Sequence, residues 1–214
     1  MSQSRFRDLL SAGLETAGLS PDERVIDRLA AYFELLKRWN SRINLTGFSL
    51  SAPSAQAVDR LIVEPLRLAA NIAGSVDIWV DLGSGGGSPA IPLYLYRPST
   101  RLVLVESKHR KAAFLRHAVR ELGLPGVEVE ASRIESITSS HRLAAQVELV
   151  TVRAVDPSES VLAAVEVLLR ERGKALFVGS RLEPNAIPST VELVNIGDVA
   201  TVLAKKAAEN RCST

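Results

Sequence analysis

The chain has 214 residues, 46% hydrophobic and 23% charged, with a formal net charge of +2. That is the composition of an ordinary globular protein, with length for one domain and a small appendage. The single cysteine, Cys212, excludes an intrachain disulfide framework and a cysteine-built metal site. No apolar run approaches the ~20 residues of a membrane span, and the opening MSQSRFRDLL carries charges where a signal peptide would be apolar. The expectation is a soluble, cytoplasmic protein whose mild basic excess permits a polyanionic partner without requiring one.

In chain order, Leu9, Leu10 and Leu14 recur at helical spacing until Gly18 interrupts them. Ser20-Pro21-Asp22-Glu23 then reads as a helix start, with Ser20 as cap and Pro21 in the first position. The helix it opens carries Val25, Ile26, Leu29, Tyr32, Phe33, Leu36 and Trp39 as an apolar stripe. Residues 44–54 are small and polar, a loop, and a further helix runs from about Ala55 to Ala70, kinked or restarted at Pro65. These segments form a helical extension over residues 1–73.

From residue 74 onward short apolar runs alternate with helices. Strands are expected at 78–80, 102–105, 127–129, 147–152, 175–178, 190–194 and 199–203, and helices at 92–96, 108–122 and 158–170. The stretch Asn195-Ile196-Gly197-Asp198 reads as a hairpin turn. The alternation predicts an α/β, doubly wound, Rossmann-like domain over 74–214, with a seven-stranded, mostly parallel sheet containing one antiparallel strand.

The strand at 78–80 runs into Asp81-Leu82-Gly83-Ser84-Gly85-Gly86-Gly87-Ser88-Pro89. Glycines there allow a tight turn and close approach of a ligand. A pyrophosphate loop fits that description too, but Asp81 would repel a pyrophosphate and suits a cationic sulfonium ligand with its amino group. Ser88 also stands where a G-x-G-x-x-G motif needs its third glycine. Glu106, 23 residues beyond Gly83, ends the next strand and can accept both hydroxyls of an adenosine ribose.

Several pieces in order carry a family resemblance: WNSRINLT at Trp39–Thr46, VDLGSGGGSPAIPL at Val80–Leu93, LVESK at Leu104–Lys108 with Lys111 and Phe114-Leu115, Arg133-Ile134-Glu135, and Val152-Arg153-Ala154-Val155. The chain resembles the RsmG (GidB) family of 16S rRNA guanine-N7 methyltransferases over residues 25–180. The resemblance implies a class I S-adenosylmethionine-dependent methyltransferase. Gly83, Ser84, Gly85, Gly87 and Ser88, with Asp81, would hold the methionine part of the cofactor. Glu106 would hold the ribose, Ile134 and Glu135 would border the adenine, and Arg153 would stand between cofactor and target base. Asn44 is a second substrate-side candidate, and 16S rRNA in the small ribosomal subunit the implied partner. Trp39 reads better as a core anchor than as a stacking platform.

The chain departs from the family pattern at the segment RHxxDSL, which here is Arg60-Leu61-Ile62-Val63-Glu64-Pro65-Leu66. It also has Ser88-Pro89-Ala90 in place of FPG, and Val178 in place of a lysine before Gly179. Guanine N7 carries a free lone pair and no proton at neutral pH, so methyl transfer to it needs alignment and water exclusion rather than a general base. No acid–base pair is proposed, and His109, His117 and His141 have no ligand-spaced partners for a metal. The basic residues Lys108, Arg110, Lys111, Arg116 and Arg120 share one helix, and Lys37, Arg38 and Arg42 flank WNSRINLT. The departures leave two further readings open: a methyltransferase with a small-molecule or protein acceptor, and a cofactor-binding module that has lost catalysis.

Overall fold

The computed structural model describes residues 2–69, 72, 74–139, 142–180, 182–196 and 200–207. Helix α1 (Ser2–Thr16) buries Phe6, Leu10 and Leu14. It ends where Gly18 takes a φ of +64° and the Leu19 N–H reaches back to the Leu14 carbonyl, the left-handed close that glycine makes without a Cβ clash. Helix α2 (Glu23–Asn40) buries Leu29, Tyr32, Phe33 and Leu36, and its Phe33 ring stacks on Phe6 at 4.4 Å. The cap differs from the sequence expectation. Asp22, not Ser20, accepts the Val25 N–H at 2.8 Å; Pro21 therefore precedes the cap, and a carboxylate also complements the positive end of the helix better than a hydroxyl.

The helix expected over 55–70 runs without a break but unevenly from Ala55 to Leu68, Ala70 lying outside the described residues. Helix α3 (Ala55–Val58), capped by Ser54, passes into a π-turn over Asp59–Val63 and then into α4 (Glu64–Leu68), with Pro65 in its first turn. The irregularity predicted at the proline is thus taken up in the turn before it, as an over-wide register rather than a break.

The strands are β1 (Ile78–Leu82), β2 (Arg101–Val105), β3 (Val127–Glu130), β4 (Val147–Arg153), β5 (Leu169–Val178), β6 (Val191–Ile196) and β7 (Ala200–Lys205), in the sheet order β3-β2-β1-β4-β5-β7-β6. All pairings are parallel except those of β7, which runs against both β5 and β6. That is the expected sheet, with β7 its one reversed strand. In the hairpin turn expected at 195–198, Gly197 and Asp198 lie outside the described residues, as do His141 and Cys212. The remaining helices are α5 (Ala90–Tyr96), α6 (His109–Glu121), α7 (Ile134–Ser139) and α8 (Glu159–Leu168). Two details were not foreseen. Helix α7 has too few residues for a readable period, and β5 starts at Leu169 because a bulge lets that residue pair with Val147 before the regular ladder from Lys174.

Alternation along the strands divides the core. Trp79, Leu102, Leu104, Leu149 and Leu176 face one side, together with α5, α6 and the buried residues of α1–α4. Val80, Leu82, Val103, Val150, Val152 and Phe177 face the other side, with α7 and α8. The N-terminal helices therefore close one face of the sheet, and Trp39 packs edge-on to Phe114 at 5.7 Å. Replacing Asp22 by Ala is expected to cost about 1 kcal/mol in urea unfolding. Ser20→Ala should leave the midpoint unchanged, and the reverse ranking would reinstate the serine cap.

Candidate functional site

The glycine loop closes over the C-terminal ends of β1 and β2. The N–H groups of Gly83 and Ser84 both reach the Val105 carbonyl at 2.9 Å. Gly85 N–H donates to Glu106 Oε2 at 2.9 Å, while Glu106 Oε1 accepts the Lys108 N–H at 2.7 Å. Gly83, Gly85 and Gly87 have φ values of +74°, +52° and +87°. A Cβ on Gly83 would lie 2.4 Å from Val155, and one on Gly87 2.6 Å from Ile91. Gly85 is different: its Cβ direction meets nothing closer than the Gly83 carbonyl at 3.7 Å, because it opens on a cavity.

Asp81 lies beneath this loop rather than on the cavity wall. It is 1% exposed, and its Oδ1 accepts the Thr151 hydroxyl at 2.5 Å, which itself accepts the Trp79 indole N–H at 2.9 Å. Oδ2 is buried without a hydrogen-bond partner. Burial pushes the Asp81 carboxyl up to about 6, against the hydroxyls of Thr151 and Ser84 and the positive charge of Arg153.

The opposite wall comes from the N-terminal helices. Tyr32 donates its hydroxyl to the Gly86 carbonyl at 2.7 Å, and burial raises its pKa, keeping the phenol a donor. Asn40 staples the loop after α2: its Oδ1 accepts the N–H groups of Leu45 and Thr46 at 2.9 and 3.0 Å, and its Nδ2 donates to the Phe48 carbonyl at 3.3 Å. That staple presents Asn44, Leu45, Thr46, Gly47 and Phe48 to the cavity. Arg153, at the end of β4, donates through Nη1 to the Arg60 carbonyl at 2.5 Å and to Ser88 Oγ at 3.1 Å. It is followed by Ala154 in the left-handed region at φ +54°, a costly conformation for an alanine that turns the chain sharply at the cavity rim.

The cavity, open on one side, has a volume of about 840 Å³, within the roughly 300–1,000 Å³ of ligand pockets. Of the residues expected to hold a ligand, Gly83, Ser84, Gly85, Ser88, Glu106, Ile134, Glu135, Arg153 and Asn44 line it. Asp81 and Gly87 are not on its wall: the first is buried beneath the loop and the second shapes the turn. Sequence reasoning missed Tyr32, Leu36 and Ser132 as wall residues. A tyrosine in an otherwise apolar stripe was the available signal, since a buried hydroxyl needs a partner. Lys108 and Lys111 also line the cavity and make no ion pair among the described residues, whereas Lys37 sits against Glu34 at 3.6 Å. Among the described residues no three His, Cys, Asp or Glu side chains are grouped to hold a metal, and no helix is long and apolar enough to cross a membrane.

The donor set fits an adenosine-bearing sulfonium. Glu106 keeps lone pairs beyond its two backbone bonds, Ser132 Oγ is buried and unpartnered in a residue lining the same cavity, and Val105, Ile134 and Val155 supply apolar wall. Solved structures share the fold. MtNAS in complex with MTA and tNA has a TM-score of 0.57 at 15% identity, over 86% of this chain and 74% of that one. A candidate methyltransferase of Escherichia coli has a TM-score of 0.54 at 18% identity, over 66% and 82%. Sheet order, reversed β7 and a glycine loop between acidic strand ends define the fold of the class I S-adenosylmethionine-dependent methyltransferases. The profile of the rRNA small subunit methyltransferase G family matches residues 25–207, and the chain belongs to that family. Relatives named ribosomal RNA small subunit methyltransferase G include those of Paracoccus denitrificans, 40% identical over 74% of this chain and 78% of theirs, and Nitrosococcus oceani, 32% identical over 87% and 85%.

Asp81 has a measurable signature. Its folded pKa of about 6 lies above the ordinary 3.8, so protonation favours the folded state: that contribution is complete below about pH 4 and lost as pH rises through 6. Asp81→Asn keeps the acceptor for Thr151 and removes the buried charge. The ligand-free variant should be more stable than the parent at pH 7.5, by on the order of 3 kcal/mol at most. The advantage should disappear below pH 4; an advantage independent of pH in chemical denaturation would contradict the assignment.

Proposed function

We propose that this chain transfers the methyl group of S-adenosylmethionine to N7 of a guanine in 16S rRNA of the small ribosomal subunit, in the cytoplasm. The observation that carries the reading is the cavity itself: cofactor-type groups on the strand ends and cationic and amide groups at its mouth, in a member of an rRNA methyltransferase family. The bound cofactor supplies an electrophilic methyl on a sulfonium. Gly83–Ser88 would receive its methionine part, with Asp81 as the counter-charge below. Glu106 would accept the ribose hydroxyls, while Ile134 and Glu135 border the adenine.

The protein's part in the transfer is alignment and dryness. N7 attacks with its own lone pair, so no residue has to remove a proton. Arg153 would direct its guanidinium toward the base and Asn44 would touch it from the facing loop; an arginine donor suits guanine O6, leaving N7 to react. Leu36, Leu45 and Val155 exclude water. Lys108 and Lys111, one helical turn apart, suit flanking phosphates.

A different methyl acceptor, small molecule or protein, is the second reading, and Leu61 is what favours it. Of the departures from the family pattern, Glu64, Pro65, Ala90 and Val178 are buried, whereas Leu61 and Ser88 line the cavity, Leu61 outside the glycine loop. A binding module without catalysis is the third.

Calorimetry should detect S-adenosylmethionine binding to the native chain and none to Gly85→Arg, whose side chain would fill the cavity. Small subunits from a strain lacking the gene should then gain a single N7-methylguanine. Cofactor binding without RNA methylation would sink the rRNA reading and leave the other two. Separately, Lys108→Ala and Lys111→Ala should each reduce the salt slope of RNA affinity by about 1, measured by fluorescence anisotropy; unchanged slopes would remove both from the RNA path.

A further inference from the structure

The helical run beside the cavity contains a hydrogen-bonding defect that the reaction as described leaves unused. In the π-turn over Asp59–Val63, the Glu64 N–H reaches back to the Asp59 carbonyl. The next residue, Pro65, has no N–H to give. In the π register that donor would have met the Arg60 carbonyl, and in the α register the Leu61 carbonyl. Both carbonyls are met from across the molecule instead. Arg153 Nη1 donates to Arg60 O at 2.5 Å, and Ser88 Oγ donates to Leu61 O at 2.9 Å. The two donors also touch each other, Arg153 Nη1 to Ser88 Oγ at 3.1 Å.

Glu64, next to the proline, supplies the charge. It is 2% exposed, its Oε2 pairs with Arg60 at 2.6 Å, and its Oε1, without a hydrogen bond, faces Arg153 Nη2 at 3.6 Å. One dry carboxylate therefore sits between two guanidiniums, one of which lines the cavity. Burial lowers the pKa of Arg153, and Glu64 is the largest influence opposing that fall. A helix carrying an ordinary residue at 65 would consume in its own backbone a carbonyl that here holds the site.

We propose that Pro65 and Glu64 are positioning residues for the transfer. Pro65 withholds a backbone donor and, together with the π-turn that sends the Glu64 N–H to Asp59, leaves the Arg60 and Leu61 carbonyls to orient Arg153 and Ser88. Glu64 fixes the second arm of the same guanidinium. The inference rests on the reading of Arg153 as the group facing the target base. It assigns a role to the position where the family pattern has serine, and it makes the π-turn part of the site rather than a tolerated kink.

The test combines a direct view of Arg153 with transfer kinetics, on the full chain. A guanidinium held at both Nη atoms gives separate, slowly exchanging Nη signals in ¹⁵N spectra, and a loose one gives averaged signals; Arg153→Lys assigns them. In Pro65→Ala and Glu64→Gln the Arg153 signals should average. Single-turnover methyl transfer to undermethylated small subunits should fall about 10- to 100-fold, more than cofactor affinity falls, with partial rescue by Glu64→Asp. Pro65→Ala leaves the charged cluster intact, so it remains informative if Glu64→Gln folds poorly. Separate Arg153 signals in both variants would overturn the positioning role. Averaged signals with normal transfer in both variants and in Arg153→Lys would instead remove Arg153 from the reaction, and with it the functional half of the proposal.

Discussion

The Glu106 carboxylate, at the end of β2, accepts one N–H from the glycine loop and one from the start of α6. Two backbone segments that would otherwise present unpaired donors at a sheet edge are thereby fastened to one side chain. With the Val105 carbonyl taking two further N–H groups, the loop has no freedom to lie elsewhere. A cavity at this place follows, because β1 and β4 leave the edge in opposite directions and nothing in the sheet fills the gap between them. The positive φ angles at Gly83 and Gly87 are the local cost of that course, and their missing Cβ atoms are what lets Val155 and Ile91 approach.

The sheet makes only half of the site. Tyr32, the Asn40 staple and the π-turn all belong to the N-terminal helices, and each contacts the sheet half by a hydrogen bond or forms the wall opposite it. Since those helices also bury one face of the sheet, the glycine loop and the cavity wall facing it are held by the same packing that stabilises the fold. A substrate-side wall borne on rigid helices, rather than on a long mobile insert, suits a reaction whose catalysis is alignment.

Charge in the interior is arranged in two layers. Asp81 is buried beneath the loop with a partner for only one oxygen, a destabilising arrangement that a cationic ligand above it would relieve. Glu64 lies behind the opposite wall between Arg60 and Arg153. The two acids occupy different sides of one cavity, and Arg153 acts electrostatically on both groups of contacts. Departures from the family pattern concentrate around this second layer, and Leu61 and Ser88 among them reach the cavity wall.

Much of this was legible in the one-dimensional chain. Alternating apolar runs and helices specify a doubly wound sheet because period and length are local properties, and the glycine loop with Glu106 is legible because it requires particular residue types at short spacing. The Asp22 cap was missed by two residues because serine and aspartate compete for the same role and only the backbone conformation decides between them. Tertiary structure alone decided that Tyr32 meets Gly86, that Asp81 lies under the loop instead of in it, and that Arg153 answers the Arg60 carbonyl freed near Pro65. Those contacts join residues 54 to 93 positions apart. The chain specifies a missing donor or a buried hydroxyl locally, but which distant group satisfies it depends on how the helices and the sheet pack.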